Sequence, residues 1–237
     1  MNNPFAIWVY LSTSPLLWLT LTLVVWLCAD FVSRAANRHP LVNPVLMSIA
    51  LMGALLVATG APYQQYFEGA QFVHFLLGPA TVAIAVPLVR HRALVIANLL
   101  PMAAALIAGS VVACVSAVAI AAAFGAPRQV LVSLAPKSVT AGIAMAVSEN
   151  LGGVPALTAV LVITTGIIGA VIVTPLMNAL RIKDYAARGF AVGLASHGIG
   201  TARAFTVDEV AGTFAGVAMG LNGLATSLIV PLLMRWV

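Results

Sequence analysis

Charged residues are scarce in this 237-residue chain: Asp, Glu, Lys and Arg make up 7% of it, and 62% is hydrophobic. Because a soluble domain carries roughly 25% charged residues, this composition excludes an ordinary soluble protein. A spanning helix needs about 20 apolar residues, so the length allows about seven or eight crossings and no soluble domain. We therefore predict one all-α polytopic membrane domain over residues 1–237.

Cysteine is also scarce, and Cys28 and Cys114 both lie within apolar runs. They read as packing residues rather than a disulfide, and no metal-ligand spacing or cofactor motif accompanies them. Residues 1–13 lack a basic n-region and a small-residue cleavage site, so no removable signal peptide is expected. The net charge of +5 does not indicate nucleic-acid binding, because the cations flank apolar runs.

The apolar runs give about seven predicted crossings. They cover 16–32, 41–59, 72–89, 93–124, 154–180, 189–203 and 210–234. Glycine and proline interrupt the third run at Gly78-Pro79, and Gly198 follows His197 in the sixth. If 129–152 enters and leaves on one face as a re-entrant element, nearly all loop cations fall on one face, as cytoplasmic loops require. The N-terminus is then outside and the C-terminus cytoplasmic. The cations placed inside are Arg34, Arg38, Arg90, Arg92, Arg181, Lys183, Arg188 and Arg235; Arg128 falls outside.

This topology suggests inverted repeats over 41–124 and 154–235, each with a discontinuous middle helix, a layout found in secondary transporters. A competing signal is the likeness of LGPATVAIA, residues 77–85, to LAPKSVTAGIA, residues 134–144. If 129–152 crosses fully, the topology changes. Both alternatives stay open at this point.

The stretch 129–152 carries the most informative residue, Lys137. A lysine in the middle of a spanning helix costs at least ~2.5 kcal/mol, and Pro136 breaks the helix beside it. Irregular backbone at membrane depth persists where it packs in protein or lines a watery cavity. Lys137 with Ser138 and Thr140 therefore predicts a binding site. The structural alternatives are a snorkelling lysine and hydroxyls that bond back to a helix.

An enzymatic alternative is a Ser–Lys dyad formed by Lys137 and Ser138. Adjacent residues on a helix do not face each other, and neither Ser-x-x-Lys nor Gly-x-Ser-x-Gly occurs. We therefore predict that the chain is not an enzyme.

A second polar stretch reads ASHGIGTARA, residues 195–204. Its glycines permit an unwound backbone, and its histidine could bond a ligand or serve as a structural residue. Its arginine is either a ligand group or an interfacial anchor. The candidate site residues are Ser196, His197, Gly198, Gly200, Thr201 and Arg203.

The balance of charge points to a substrate class. Lys137, His197 and Arg203 are the candidate buried cations, whereas every carboxylate lies near the end of a segment. A buried cation without an anion is costly, and a passing anionic substrate would supply the partner. We therefore predict a site for a small organic anion, with unwound helix N-termini adding positive dipole ends.

The last predicted span carries Gly212, Gly216 and Gly220, a small-residue face for close helix packing, and the polar Asn222. The face serves either packing within the chain or a homodimer.

Three stretches, APKSVTAGIAMAV, GGVPALTAVLVITTGIIGA and ARGFAVGLASHGIGTARA, resemble the signature stretches of the LrgB/CidB membrane family. The similarity runs from NPVL at 43–46 to the final span. Ala141 and Gly142 stand where the family usually has Thr-Pro. The motif residues carried over by position are Pro136, Lys137, Ser138, Ser196, His197, Gly198, Gly200 and Thr201.

The resemblance implies a location in the bacterial inner membrane and two functions. One is transport of small monocarboxylates: pyruvate in bacteria, and glycolate or glycerate in the related plastid translocator. The other is holin/antiholin-like regulation of murein hydrolase export and lysis, with a small LrgA/CidA-type membrane partner. Because a carrier needs a buried lysine at a broken helix and a holin-like pore does not, we favour transport.

Overall fold

The structure, a computed structural model, describes residues 13–83 and 85–236. This part of the chain is mainly helical and contains no strand, which confirms the predicted all-α class. The helices belong to two compact units, Met1–Ala83 and Ile84–Val237.

The first unit contains four helices: α1 Pro15–Ala35, α2 Pro44–Thr59, α3 Tyr63–Phe75 and α4 Leu77–Ala83. Trp18 of α1 is fully buried and meets the Tyr66 ring of α3 edge-on, with centroids 6.1 Å apart. Gly78 and Pro79 lie in the first turn of α4. Helix α3 ends at Phe75 and α4 begins at Leu77, so the helix is interrupted directly before Gly78 and Pro79, close to the predicted break. Pro79 itself is accommodated because the first turn of a helix tolerates proline.

The second unit begins with two short helices and contains all the predicted site residues. Its helices are α5 Ala85–Arg90, α6 Arg92–Ala97, α7 Leu99–Ala123, α8 Arg128–Leu134, α9 Ala141–Asn150, α10 Pro155–Ala179, α11 Tyr185–Val207 and α12 Glu209–Leu233.

Both units contain long apolar helices. Within the described residues, 4 helices have the length and composition to cross a membrane: α1, α7, α10 and α12. The shorter α2 is also apolar. Cys114 is buried in α7 as predicted, whereas Cys28 of α1 is exposed, and both are free thiols. The expectation that both cysteines are packing residues is therefore wrong for Cys28.

Residues 128–150 fold back on themselves and form what we call hairpin 1: α8, a non-helical tip at 135–140, and α9. Just after α9, the Val154 N–H donates to Ser133 Oγ in α8 at 2.8 Å, across 21 residues of sequence. A continuous helix would hold these residues about 30 Å apart. The predicted re-entrant course of 129–152 agrees with this fold-back.

Helix α11 also folds back, and we call it hairpin 2. Its backbone leaves helical geometry at Ser196 and His197, and Val192 of its first arm shares a buried cluster with Ala204 of its second arm. Twelve residues of straight helix would separate these two by about 18 Å. The predicted crossing over 189–203 is therefore wrong: the chain returns to the end from which it entered.

Hairpin 2 packs along the first half of α12. Its first arm approaches α12 so closely that a Cβ on Gly189 or Gly193 would collide with the backbone of Ala211 or Ala215. Gly212 faces the Phe205 ring in the same interface. The predicted small-residue face thus serves packing within the chain at Gly212.

Hairpin 1 packs along the second half of α12. Leu131 and Val132 share a buried core with Val230 and Met234. The two hairpins therefore enter the second unit from opposite ends of α12, and their tips approach its middle.

Contacts at the two ends of α12 show which arginines lie at each end of the second unit. At its start, Arg90 Nη1 lies 3.5 Å from Glu209 Oε1, and at its end Arg128 Nη2 donates to the Met234 carbonyl at 3.0 Å. The sequence-based topology grouped Arg235 with Arg90, but the structure places them at opposite ends of α12. The grouping is wrong because hairpin 2 does not cross.

Candidate substrate site at the meeting of two hairpin tips

The tip of hairpin 1 presents the predicted lysine. Pro136 and Ser138 are buried and Lys137 is half-buried, and Lys137 Nζ lies 3.3 Å from Ser138 Oγ, to which it donates. The expectation that adjacent Lys137 and Ser138 do not face each other is wrong, because residues 135–140 are not helical. The tip therefore offers an ammonium and a hydroxyl together.

No ion pair among residues 13–83 and 85–236 involves Lys137. The carboxylates that pair do so at helix ends, Asp30 with Arg34 and Arg38, and Glu209 with Arg90. The described residues thus hold a partly buried cation in the middle of the bundle without a bonded carboxylate.

The tip of hairpin 2 is built around His197, whose backbone has φ 42° and ψ −135°. A non-glycine residue at positive φ costs roughly 1–3 kcal/mol and persists where the surrounding structure enforces it. Helix α10 packs tightly against this tip: a Cβ on Gly166 would lie 2.7 Å from His197 Nε2, and a Cβ on Gly169 would collide with Ser196 Oγ. Glycine at these positions lets α10 pack closely against the folded tip.

His197 connects the two tips through Val162 of α10. The Val162 carbonyl, which can only accept, lies 2.9 Å from His197 Nε2, so Nε2 carries a hydrogen. The Val162 side chain packs in a buried cluster with Val139 and Ala144 of hairpin 1. Its backbone thus contacts one tip and its side chain the other, and His197 Nδ1 remains the ring atom that can take up a proton.

Asn222, in the middle of α12, makes a second connection. Its Nδ2 donates to the Leu194 carbonyl at 2.9 Å and to the Ser138 carbonyl at 3.3 Å. Its Oδ1 accepts from Ser110 Oγ at 2.7 Å and from Thr226 Oγ1 at 3.2 Å. The sequence analysis noted that Asn222 is polar but did not predict it as a site residue. An amide side chain within an otherwise apolar span was the feature that could have identified it.

The structure thus brings most of the predicted residues together. Thr201 is buried and donates to the His197 carbonyl at 2.8 Å. Gly200 is buried against Val192 and Ser196, where a Cβ would lie under 3.0 Å from both. Thr140 is half-buried at the N-cap of α9 and makes no capping bond with its side chain.

Arg203 lies apart from the other candidates, toward the open end of hairpin 2. Its Nη1 donates to Thr206 Oγ1 at 3.3 Å, and it lines a small cleft with Arg188 and Tyr185. The fold-back places Arg203 beside Arg188 and away from the tip, a relationship that a straight helix would not produce.

Long apolar helices that enclose two folded-back hairpins with polar tips define a multi-pass α-helical membrane protein. The chain belongs to the LrgB-like family, whose model matches residues 22–236.

Named relatives cover nearly the whole chain. It is 36% identical over 220 residues to Uncharacterized protein YwbG of Bacillus subtilis, which spans 92% of this chain and 96% of that protein. It is 32% identical to Holin-like protein CidB of Staphylococcus epidermidis, over 92% of this chain and 94% of that protein. Holin-like protein CidB of Staphylococcus aureus is 30% identical, over 92% and 95% of the two chains. No solved structure matches the chain.

Proposed function

We propose that this protein is a secondary transporter of small monocarboxylates, such as pyruvate, glycolate or glycerate, across the bacterial inner membrane. One observation carries the proposal: Lys137 sits half-buried at a broken hairpin tip, in the middle of the bundle, and bonds to a serine hydroxyl rather than a carboxylate. A substrate carboxylate would supply the missing anion and repay part of the cost of burying the ammonium.

The neighbouring groups would hold the rest of the substrate. Ser138 and Ser196 are buried hydroxyls at the two tips and would bond substrate oxygens. The Thr201 hydroxyl already donates to the His197 carbonyl, so it would act toward a substrate only as an acceptor, for example of a hydroxyl group. His197 would bond substrate or carry a coupled proton at Nδ1.

Helix direction favours an anion at the same place. The second arm of hairpin 1 begins at the tip with Ala141, and its N-cap side chain makes no capping bond. The unpaired N–H groups and the positive dipole end of this 10-residue helix therefore face the tip region.

The opposite entry of the two hairpins supports a carrier. A site between two re-entrant hairpins can be uncovered from one face by moving one hairpin and from the other face by moving the second. Such a site is exposed to the two sides in turn, which is what coupled transport requires.

We infer an orientation from the cations. The end of the second unit that carries Arg90 and Arg181 would be cytoplasmic under the positive-inside rule, with Arg235 on the outer face. This replaces the predicted cytoplasmic C-terminus. Arg34 and Arg38 lie at and just after the end of α1, so the same rule places that end inside and the N-terminus outside, as predicted.

Counterflow of labelled pyruvate or glycolate in proteoliposomes tests the proposal. We expect Lys137→Ala to reduce substrate-competed uptake at least about tenfold, since a hydrogen bond to a charged group contributes roughly 1.5–3 kcal/mol. Lys183→Ala is the matched control, because Lys183 is the other lysine of the chain and is exposed. Robust uptake by Lys137→Ala would remove Lys137 from the site.

The holin-like CidB relatives favour a second candidate. In that function the chain regulates murein hydrolase export and lysis in a holin/antiholin-like manner, with a small LrgA/CidA-type partner and with or without homodimer formation. Absence of uptake for every small carboxylate, together with altered lysis on deletion, would favour this candidate over transport.

Both candidates treat the protein as a non-enzyme, although Lys137 and Ser138 are within hydrogen-bonding distance. Mass spectrometry of the transported compound tests this point. We expect the substrate to be recovered unchanged, and a hydrolysed or modified product lost in Ser138→Ala would establish a Ser–Lys enzyme instead.

A further inference from the structure

We infer that Asn222 is a positioning and selectivity residue of the transport site: its amide group holds both hairpin tips and covers the two backbone carbonyls that would otherwise repel a carboxylate. The selectivity part of this inference rests on the proposed function. The positioning part does not.

The orientation of the Asn222 amide is determined by its neighbours. Ser138 and Leu194 present carbonyl oxygens, which only accept, so Nδ2 must face them, at 3.3 Å and 2.9 Å. Ser110 and Thr226 then donate to Oδ1. Both N–H groups and both lone pairs of the amide are used, and the residue is only 1% exposed.

The two carbonyls come from the two backbone breaks. Ser138 lies within the non-helical tip of hairpin 1, and Leu194 lies two residues before the kink at Ser196 in hairpin 2. Carbonyls at an interrupted helix lack helical donors and need another partner. Because one nitrogen serves both carbonyls, displacement of either tip breaks a bond that also orients the donor for the other.

The same two bonds also affect the electrostatic potential around Lys137. A carbonyl oxygen is the negative end of a dipole, so two uncovered carbonyls beside Lys137 would weaken its attraction for a carboxylate. With Nδ2 bound to both, Lys137 and the N-terminus of α9 dominate the local potential. Asn222 thus favours an anion without itself contacting one.

Four variants separate these roles. Asn222→Asp keeps the shape but replaces the donor group with an oxygen, and Asn222→Leu removes every hydrogen bond of the side chain. Ser110→Ala removes one donor to Oδ1 and leaves the amide donors in place. Thr213→Val is the control on the same helix, because its hydroxyl is buried and bonds only within α12, to the Glu209 carbonyl at 2.8 Å.

The first experiment measures uptake of labelled pyruvate in proteoliposomes, with pyruvate and its neutral amide as competitors. We expect Asn222→Asp and Asn222→Leu to raise KM at least about tenfold and to lower the preference for carboxylate over amide by a similar factor. Ser110→Ala should raise KM about two- to threefold, and Thr213→Val should leave it unchanged. An unaltered carboxylate preference in Asn222→Asp would overturn the selectivity role, because a purely structural defect lowers the amount of active protein and leaves this preference intact.

The second experiment measures amide hydrogen exchange at residues 137–141 and 194–198 in detergent, and it does not depend on transport. We expect exchange to accelerate at both tips together in Asn222→Leu and at neither tip in Thr213→Val. Acceleration at one tip alone, or at neither, would overturn the positioning role. If the wild-type protein takes up no monocarboxylate, the proposed function and the selectivity role fail, while this experiment still decides whether Asn222 joins the tips.

Discussion

His197 Nε2 lies 2.9 Å from the carbonyl oxygen of Val162, and this bond joins the strained tip of hairpin 2 to the middle of α10. Because the carbonyl fixes the hydrogen on Nε2, any proton that His197 carries must bind Nδ1. The bond therefore keeps the ring in one orientation while leaving one nitrogen for chemistry.

This geometry predicts separate outcomes for two substitutions of His197. Gln at this position can still donate to Val162 but cannot carry a proton, whereas Ala does neither. If His197 carries the coupled proton, His197→Gln should retain counterflow exchange and lose accumulation driven by a pH gradient. His197→Ala should lose both. Proteoliposomes with and without an imposed gradient measure the difference, and gradient-driven accumulation by His197→Gln would exclude His197 as the proton carrier.

The contact between Gly166 and His197 predicts a stability effect. A Cβ at Gly166 would lie 2.7 Å from the imidazole, so Gly166→Ala should destabilise the protein by about 1–3 kcal/mol through overpacking. The matched control is Gly220→Ala in α12, where a Cβ meets nothing within 4 Å. That control should be neutral or stabilising by up to about 1 kcal/mol. Thermal unfolding in detergent compares them, and equal midpoints would argue against the close α10 contact.

The cap of α12 gives a further stability prediction. Asp208 Oδ1 accepts from the N–H groups of Val210 and Ala211, at 2.8 Å and 3.1 Å. Asp208→Ala should therefore cost about 1 kcal/mol, whereas Asp208→Asn should cost little, because Asn also caps well. The measurement is the unfolding midpoint of each variant, and a large loss in Asp208→Asn would show that charge rather than capping matters.

The fold-back of hairpin 2 predicts a specific membrane topology. Cysteines placed at Glu149 and Arg235 should react with an impermeant thiol reagent from the same side of the membrane. A cysteine at Arg181 should react from the other side, because α10 separates it from Glu149. These variants are made with Cys28 replaced, since that native thiol is exposed. Labelling of positions 181 and 235 from one side would restore the topology predicted from sequence and contradict the hairpin.

Much of this protein follows from local sequence. Scarce charge and long apolar runs establish a helical membrane protein, since such runs satisfy the backbone only as helices in lipid. Pro136 beside Lys137, and the glycines around His197, identified both tips, because helix-breaking residues and polar groups in an apolar context can be read without knowing any partner.

The sequence did not reveal which way each broken segment continues. A kink and a reversal at His197 have similar local signatures, and the difference lies in contacts such as that of Val192 with Ala204. A reversal at His197 removes one membrane crossing, and this moves Arg235 to the other face of the membrane. The inverted repeats over 41–124 and 154–235 stay a prediction, because the first of these stretches extends over both compact units.

Composition and the two tip motifs by themselves thus determined the class of the protein and where its polar residues would cluster. Only the tertiary structure decided that both tips meet, because Asn222 and Val162 are distant in sequence from the tip residues they hold. Hydrogen bonds and packing between distant residues leave no periodic pattern in a sequence, so the folded chain alone shows them.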